Sequence, residues 1–390
     1  MSTITSTQRV AIYRSSLLPI SETFIREQAK ALPNWRPVLI GRQKFADGLD
    51  LSKLSVEITP KSDWLAPHSV YYLLQRPQPN LVQQLKRLGI SLVHVHFGTE
   101  ATDIWPSVKA TGLPMLVTLH GYDINTHRWW WESGRGGLRR LMYPRQLLRM
   151  AQSPLVHFVA VSQSIKRRAI NYGIPSDKIT VCYIGVDTER FYPGGRPLNQ
   201  RRNRILYVGR MVEKKAPLLM IRAFAALHNQ VPDAELVMIG TGPQLEFARQ
   251  LAQSLNVPVD FLGARSSDDV LTQMHQARVF CLPSVVATNG DAEGLPISIL
   301  EAMACGIPVI TSAFSAADEI ITHQKNGLCF KENDVNELSD NIKSVISNEN
   351  YLLSLSAAAR IRAKEIFSIS KNIKHLEDIY SSHVKNNFNT

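Results

Sequence analysis

Two glutamates eight residues apart, Glu293 and Glu301, lie in the segment GDAEGLPISILEAMACGIPVITS at positions 290–312. The segment reads as a turn into a helix, because Pro296 suits the first helical turn and Gly306 followed by Pro308 stops it. Amides of Gly294 and Leu295 would face an anion at the helix start, where the dipole is positive. Glu293 is expected in a solvent-facing loop beside that anion, and Glu301 about one and a half turns into the helix. Such a set can hold a diphosphate on amides while one carboxylate grips sugar hydroxyls and the other a ribose, since carboxylates accept from hydroxyl pairs. The plainer reading is a capped surface helix with two incidental glutamates.

A second segment, YVGRMVEKKAP at positions 207–217, follows an apolar run. A tight turn at Gly209 would expose Arg210, with Lys215 five residues on, at the start of the next helix. Two cations at a strand's carboxyl end can neutralise a leaving diphosphate. Taken singly they fit a solvated basic loop equally well; beside the glutamate pair the phosphate role is favoured.

These residues need elements to hold them. Short apolar runs alternate with longer amphipathic stretches, the pattern of parallel sheets flanked by helices. Strands are expected at Arg9 to Tyr13, Pro37 to Ile40, Leu92 to His96, Met115 to Thr118, His157 to Val161 and Ile179 to Cys182. Helices are expected at Ser21 to Leu32, Pro79 to Leu88 and Ser162 to Tyr172. After the polar break PGGRPLNQRRN at 193–203 the pattern restarts, with strands at Arg204 to Val208, Ala234 to Ile239, Val259 to Leu262, Val279 to Leu282 and Val309 to Thr311. The fold class is therefore α/β. It comprises a Rossmann-like domain over 1–198, a second over 199–367, and a helix over 368–390 packing back toward the first. Ligands bind at the carboxyl ends of strands in such sheets, so two lobes facing each other would enclose a cleft.

Composition agrees with an ordinary globular protein. The chain has 390 residues, 44% of them hydrophobic and 20% charged, a length that favours two cores over one. A net charge of +11 favours anionic partners, though clusters such as Arg135, Arg139, Arg140, Arg145 and Arg149 also fit a solvated surface. Cys182, Cys281, Cys305 and Cys329 are too dispersed for a zinc or redox site and read as buried free thiols of a reducing compartment. The opening MSTITSTQRV lacks a signal peptide's apolar core and no run is long enough to span a membrane, so a cytoplasmic location is expected, free or peripheral at the inner membrane face.

With both motifs in view, the chain resembles the retaining glycosyltransferases of family 4, whose fold is GT-B, over nearly its whole length. The glutamate pair with GLP between its members, and GR followed by lysine, carry the resemblance. It implies that Arg210 and Lys215 hold the donor diphosphate, Glu301 the ribose, and that Glu293 stands near the transferred sugar. VMIGTGP, with Gly240 and Gly242, resembles the family's glycine turn lining the nucleotide. TLHGYD resembles its HG motif, which would put His120 near the sugar and its attacking hydroxyl. VHVHFG also matches a family segment, with His94 and His96 read as mainly structural. LLPISETFIREQ resembles a subgroup acting in exopolysaccharide and O-antigen synthesis, which makes Ser21, Glu22 and Thr23 a candidate active-site loop near the phosphates. Ser162 and Asp187 fit either an active site or simple caps. Two departures, Ala216 where the family commonly has glycine and Ile184 where it commonly has asparagine, bear on loop geometry and acceptor preference.

The resemblance implies transfer of a hexose-type sugar, with retention, from a UDP or GDP sugar to a glycan or lipid-linked glycan of a bacterial surface polysaccharide. Attack on the face the phosphate leaves is expected, since no dedicated nucleophile is apparent. No DxD-like metal site stands out, so the basic residues are expected to balance the diphosphate without a metal or other cofactor. An anionic membrane surface is a further partner the charge allows; nucleic acid is not expected. Two other functions fit a two-lobed chain: a nucleotide-sugar epimerase, which needs no acceptor, and a protein that binds the donor, or RNA, without transfer. HRWWWESGRGGLRR, with Trp129, Trp130 and Trp131, suits a glycan, a lipid pyrophosphate, a membrane surface or plain packing.

Overall fold

The computed structural model describes residues 8–60, 71, 74–312 and 317–388; positions 1–7, most of the stretch read above for a signal peptide, lie outside them. Two compact units divide the chain. The first takes in the described residues up to Gly185 and those from Ser370 onward, and the second runs from Val186 to Ile369.

In the first unit seven described strands form one parallel sheet. Their spatial order is Ser55–Ile58, Arg36–Gly41, Arg9–Tyr13, Leu92–His96, Met115–Leu119, Val156–Ala160 and Ile179–Val181. Leu92–His96 and Met115–Leu119 are buried at every position, as strands covered by helices on both faces must be. One such cover is the last helix, Ile369–Phe388. Its Leu376, Ile379 and Tyr380 join Ile12, Leu39, Leu92 and Leu116 in one buried cluster. Tyr380 also bonds His94 Nδ1 through its hydroxyl at 2.6 Å, and Glu377 accepts from the Asn34 amide at 2.8 Å. The tail is therefore held by polar contacts as well as by burial.

The second unit is a six-stranded parallel sheet of the described residues, in the order Val259–Gly263, Glu235–Ile239, Arg204–Val208, Val279–Leu282, Val309–Ser312 and Leu328–Phe330. The segment 193–203 packs as part of this unit. Arg201 is buried there and donates to the carbonyls of Gly194, Arg196, Met274 and Ala277. That is why the chain changes units at Gly185 to Val186, ahead of the polar break.

Each sheet reverses its winding once, between Arg9–Tyr13 and Leu92–His96 in the first unit and between Arg204–Val208 and Val279–Leu282 in the second. At such a reversal the flanking connections leave toward opposite faces and open a crevice at the carboxyl ends. The segments following those four strands are thus where each unit can hold a ligand.

Candidate active site

At the second unit's reversal, strand Arg204–Val208 runs into Gly209, whose amide donates to the Ile239 carbonyl at 3.0 Å. The neighbouring turn needs glycine. Gly240 has φ +137°, and a β-carbon there would stand 1.9 Å from the Gly209 carbonyl oxygen. Gly242, at φ +151°, would meet the Met211 carbonyl oxygen at 2.5 Å. The two turns therefore lie backbone against backbone, and the side chain of Arg210 is exposed beside them.

Lys215 ends a short 3-10 turn, Glu213–Lys215, and the helix Pro217–His228 follows. The expectation that Lys215 begins that helix is corrected. Between them Ala216 adopts the left-handed region, φ +45° and ψ +52°, where a β-carbon crowds the backbone and glycine does not. The alanine therefore bears the strain of a left-handed turn. Ala216→Gly is expected to raise stability by roughly 0.5–1 kcal/mol, read as a higher unfolding midpoint in urea. An unchanged or lower midpoint would show that the left-handed turn is relaxed in solution.

The glutamate segment closes onto this turn. Val285 donates its amide to the Lys214 carbonyl at 2.9 Å, and Thr288 donates amide and hydroxyl to the Glu213 carboxylate at 2.9 and 3.1 Å. Lys214 Nζ lies 3.0 Å from Asp291, and Ser298, in the first turn of helix Ile297–Ala304, donates to the Val208 carbonyl at 3.0 Å. Sequence reading missed Lys214, Asp291 and Ser298. Asp291, two residues before Glu293 in the same motif, was the available signal.

These braces bring Lys215 Nζ to 3.0 Å from Glu293 Oε2, with side-chain exposures of 12% and 13%. Glu293 is therefore not in a solvent-facing loop, as expected from sequence; it is an almost buried half of an ion pair. Burial pushes its carboxyl up, but Lys215, Lys214 and Arg210 outweigh that and hold it below the usual range. Burial wins on Lys215, which is lowered although Glu293 opposes the shift. At neutral pH the pair presents an ionised carboxylate and a cation in one low-dielectric crevice. Gly294 and Leu295 lie buried between Glu293 and the helix.

Glu301 is half-buried on that helix, and burial pushes its carboxyl up to about 8, only partly offset by Arg190. Unlike Glu293, it is largely protonated at pH 7. The structure brings Arg210, Lys215, Glu293 and the glycine turns together; Glu301 is joined to them through its helix.

In the first unit His120 directly follows strand Met115–Leu119. Its Nε2 is 3.0 Å from His96 Nδ1, and Phe24 and Phe97 pack on its ring at centroid distances of 5.0 and 4.5 Å. Burial, with neighbouring positive charge, drives both histidines well below their ordinary range, so they are neutral near pH 7. The turn is tied by a residue the sequence reading passed over. Fully buried Asp123 accepts from the amides of Gly98, His120 and Gly121 at 2.8, 3.1 and 3.0 Å, and burial pushes it up to about 6. His94 uses both ring nitrogens, on Tyr380 and on Thr118.

The candidate loop Ser21 to Thr23 straddles a 3-10 turn, Ile20–Glu22, and the start of helix Thr23–Lys30. Ser21 is exposed, while Glu22 is buried against Arg14 at 2.5 Å. Arg14 also reaches Glu100 at 3.2 Å, at the carboxyl end of the reversal strand Arg9–Tyr13. Ser162 caps helix Gln163–Tyr172, and Asp187 accepts from the amides of Glu189 and Arg190. All four cysteines are free and buried. Among the described residues no cluster of three or more His, Cys, Asp or Glu side chains is placed to hold a metal.

A family model described as glycosyltransferase family 4 matches residues 21–190, and one described as glycosyl transferases group 1 matches residues 189–362. A GDP-mannose-dependent monoacylated alpha-(1-6)-phosphatidylinositol monomannoside mannosyltransferase of Corynebacterium glutamicum is 30% identical over 272 residues, covering 67% of this chain and 68% of that one. The amylovoran biosynthesis glycosyltransferase AmsK of Erwinia amylovora is 28% identical over 292 residues, covering 74% and 69%. Among solved structures, Anabaena HepE in complex with UDP-glucose superposes with a TM-score of 0.78 at 19% identity, over 96% of this chain and 99% of that one.

Proposed function

The chain belongs to glycosyltransferase family 4 and has the GT-B fold, and from that premise we propose that it is a retaining hexosyltransferase using a nucleotide diphosphate sugar. The observation that carries the reading is the Lys215–Glu293 pair, nearly buried at the reversal of the second sheet with Arg210 exposed beside it. Arg210, Lys215 and the amides of Gly294 and Leu295 would take the diphosphate against Gly209 and the Gly240–Gly242 turn. Glu293 would orient the sugar and stabilise positive charge at its anomeric carbon. As the bond to the diphosphate oxygen breaks, the acceptor hydroxyl bonds to that carbon on the same face and its proton leaves with the diphosphate. Charge on the leaving group and on the sugar both peak in the transition state, so groups placed for them act differentially. His120, neutral at pH 7, would orient hydroxyls. No step requires a metal.

HepE was solved with a UDP sugar and the Corynebacterium relative is named for GDP-mannose, which supports UDP or GDP as the donor base. The amylovoran biosynthesis relative supports a role in polysaccharide biosynthesis; the acceptor we propose is a glycan, lipid-linked in a growing surface polysaccharide. The test is a screen of UDP and GDP sugars with lipid-linked and free glycan acceptors in the presence of a chelator, read by product mass and anomeric configuration. Acceptor-dependent product of the donor's configuration is expected. Epimerised donor without acceptor would assign an epimerase, and donor binding without turnover a binding protein.

Glu301 supplies a pH signature. If its carboxylate accepts from the ribose hydroxyls, donor binding requires the ionised form. With a pKa of about 8, affinity should rise on the order of eightfold between pH 7 and 8.5. Glu301→Gln should bind more weakly and without that slope. Calorimetric titrations that show the same pH dependence in both proteins would remove Glu301 from the ribose.

A further inference from the structure

Arg204 opens strand Arg204–Val208 at the end opposite Gly209 and Arg210, and with Arg196, Arg201 and Arg202 it lines a recess of about 490 Å³ in the second unit. The strand is five residues long, so roughly 16 Å of backbone separates this recess from the crevice at the carboxyl end. Ligands of such sheets gather at carboxyl ends. A basic recess at an amino end is therefore no part of the site described above.

Its floor is the polar break itself. Gly194 and Gly195 lie flush against His275 of helix Ser267–Gln276: a β-carbon at Gly194 would stand 2.6 Å from the imidazole, and one at Gly195, φ +72°, 2.9 Å from the His275 carbonyl oxygen. Behind the floor is Arg201, 8% exposed, whose guanidinium is spread over the four carbonyls already named. Those carbonyls satisfy its N–H groups but cancel no charge, and burial pulls its pKa below the ordinary range. Arg202 and Arg204 share a single carboxylate, Glu235, which accepts from them at 3.0 and 2.9 Å. Arg196 is exposed, and among the described residues neither it nor Arg201 enters an ion pair. Four guanidiniums set against one carboxylate leave an excess of three positive charges on one recess. Guanidinium forks match phosphate oxygens in pairs, and a space of this size suits a nucleotide or sugar phosphate better than a lone ion.

We propose that this recess is a second anion site, apart from the donor crevice, that takes a soluble phosphate ester or diphosphate on Arg196, Arg202 and Arg204 with the fixed charge of Arg201 behind them.

The test titrates purified full-length protein with pyrophosphate at low salt, by calorimetry. Wild type and Arg210→Ala should both show the recess event, because Arg210 stands at the other end of the strand. Arg196→Ser combined with Arg202→Ser should weaken that event about tenfold; both side chains are exposed, so the unfolding midpoint should stay near that of wild type. Glu235→Gln removes the carboxylate that competes with the ligand for Arg202 and Arg204, and should tighten binding about threefold. Arginines that serve the fold alone would show no such gain. A nucleoside diphosphate and a hexose phosphate, each titrated against pyrophosphate in Arg210→Ala, identify the source of the phosphate as the one that displaces it at lower concentration. No event in Arg210→Ala, an unchanged event in the double variant, or a Glu235→Gln that binds no tighter would overturn the proposal. So would displacement by chloride as readily as by either phosphate compound, which would mark the recess as unselective charge. If the donor crevice takes no diphosphate, wild type and Arg210→Ala give the same isotherm while the recess event persists, so failure of that reading is told apart from failure of this one.

Discussion

Glu293→Ala is expected to lower transfer about a thousandfold and to cost the second unit roughly 3 kcal/mol of stability. The first effect follows from the proposed chemistry, since the carboxylate faces positive charge that exists only as the glycosidic bond breaks. The second follows from the geometry. Removing Glu293 strands Lys215, 12% exposed and 3.0 Å away, as a buried cation whose pKa burial already lowers. Glu293→Gln keeps the volume and a hydrogen-bond acceptor, so it should lose transfer comparably while costing less stability. Initial rates at saturating substrates and urea unfolding separate the two effects. Near-normal turnover in either variant would take Glu293 out of the mechanism. The acid limb gives a further check: a carboxylate held below its ordinary range stabilises the fold above that range and loses the contribution as pH falls through the depressed value. Wild type should therefore lose stability on acidification more steeply than Glu293→Gln.

That stability cost was invisible in the sequence, and the reason is instructive. The glutamate spacing, the GR turn and the later lysine are local patterns, and each identified its residues. What no local pattern states is that Thr288 ties back to Glu213, and Asp291 to Lys214, folding one motif over the other and taking Glu293 out of solvent. The same division runs through the fold. The fully buried strand Val279–Leu282 was legible as a continuous apolar run, and Leu92–His96 as a short run of apolar residues alternating with His94 and His96. Ser55–Ile58 was not, because as an edge strand with no buried residue it carries no apolar run, and Leu328–Phe330 is three residues long. Asp123 was in plain view within TLHGYD, yet its function of gathering three amides depends on Gly98, which reaches it only through the sheet. Ala216 read as a departure bearing on loop geometry; what the sequence did not state is its positive φ, which puts strain on the alanine.

Arg210→Ala and Lys215→Ala are each expected to reduce transfer about a hundredfold, the loss of one charged stabiliser of a leaving oxyanion. Their stability effects should diverge. Arg210 is exposed, so its removal should leave the unfolding midpoint nearly unchanged. Lys215 is not, and its removal leaves Glu293 buried without the cation that chiefly holds it ionised. The carboxyl should then rise into its protonated range and the second unit should lose roughly 3 kcal/mol. Lys215→Met combined with Glu293→Gln removes both charges at once, and since a buried pair is often matched by neutral groups of like volume, this double variant should recover most of the stability lost by Lys215→Ala. Its transfer should stay lowest of all. This combination isolates the function of the pair from its place in the fold: a double variant that regains turnover along with stability would mean that Lys215 and Glu293 only hold the crevice together. Losses below fivefold in both Arg210→Ala and Lys215→Ala would mean that the diphosphate charge is met elsewhere.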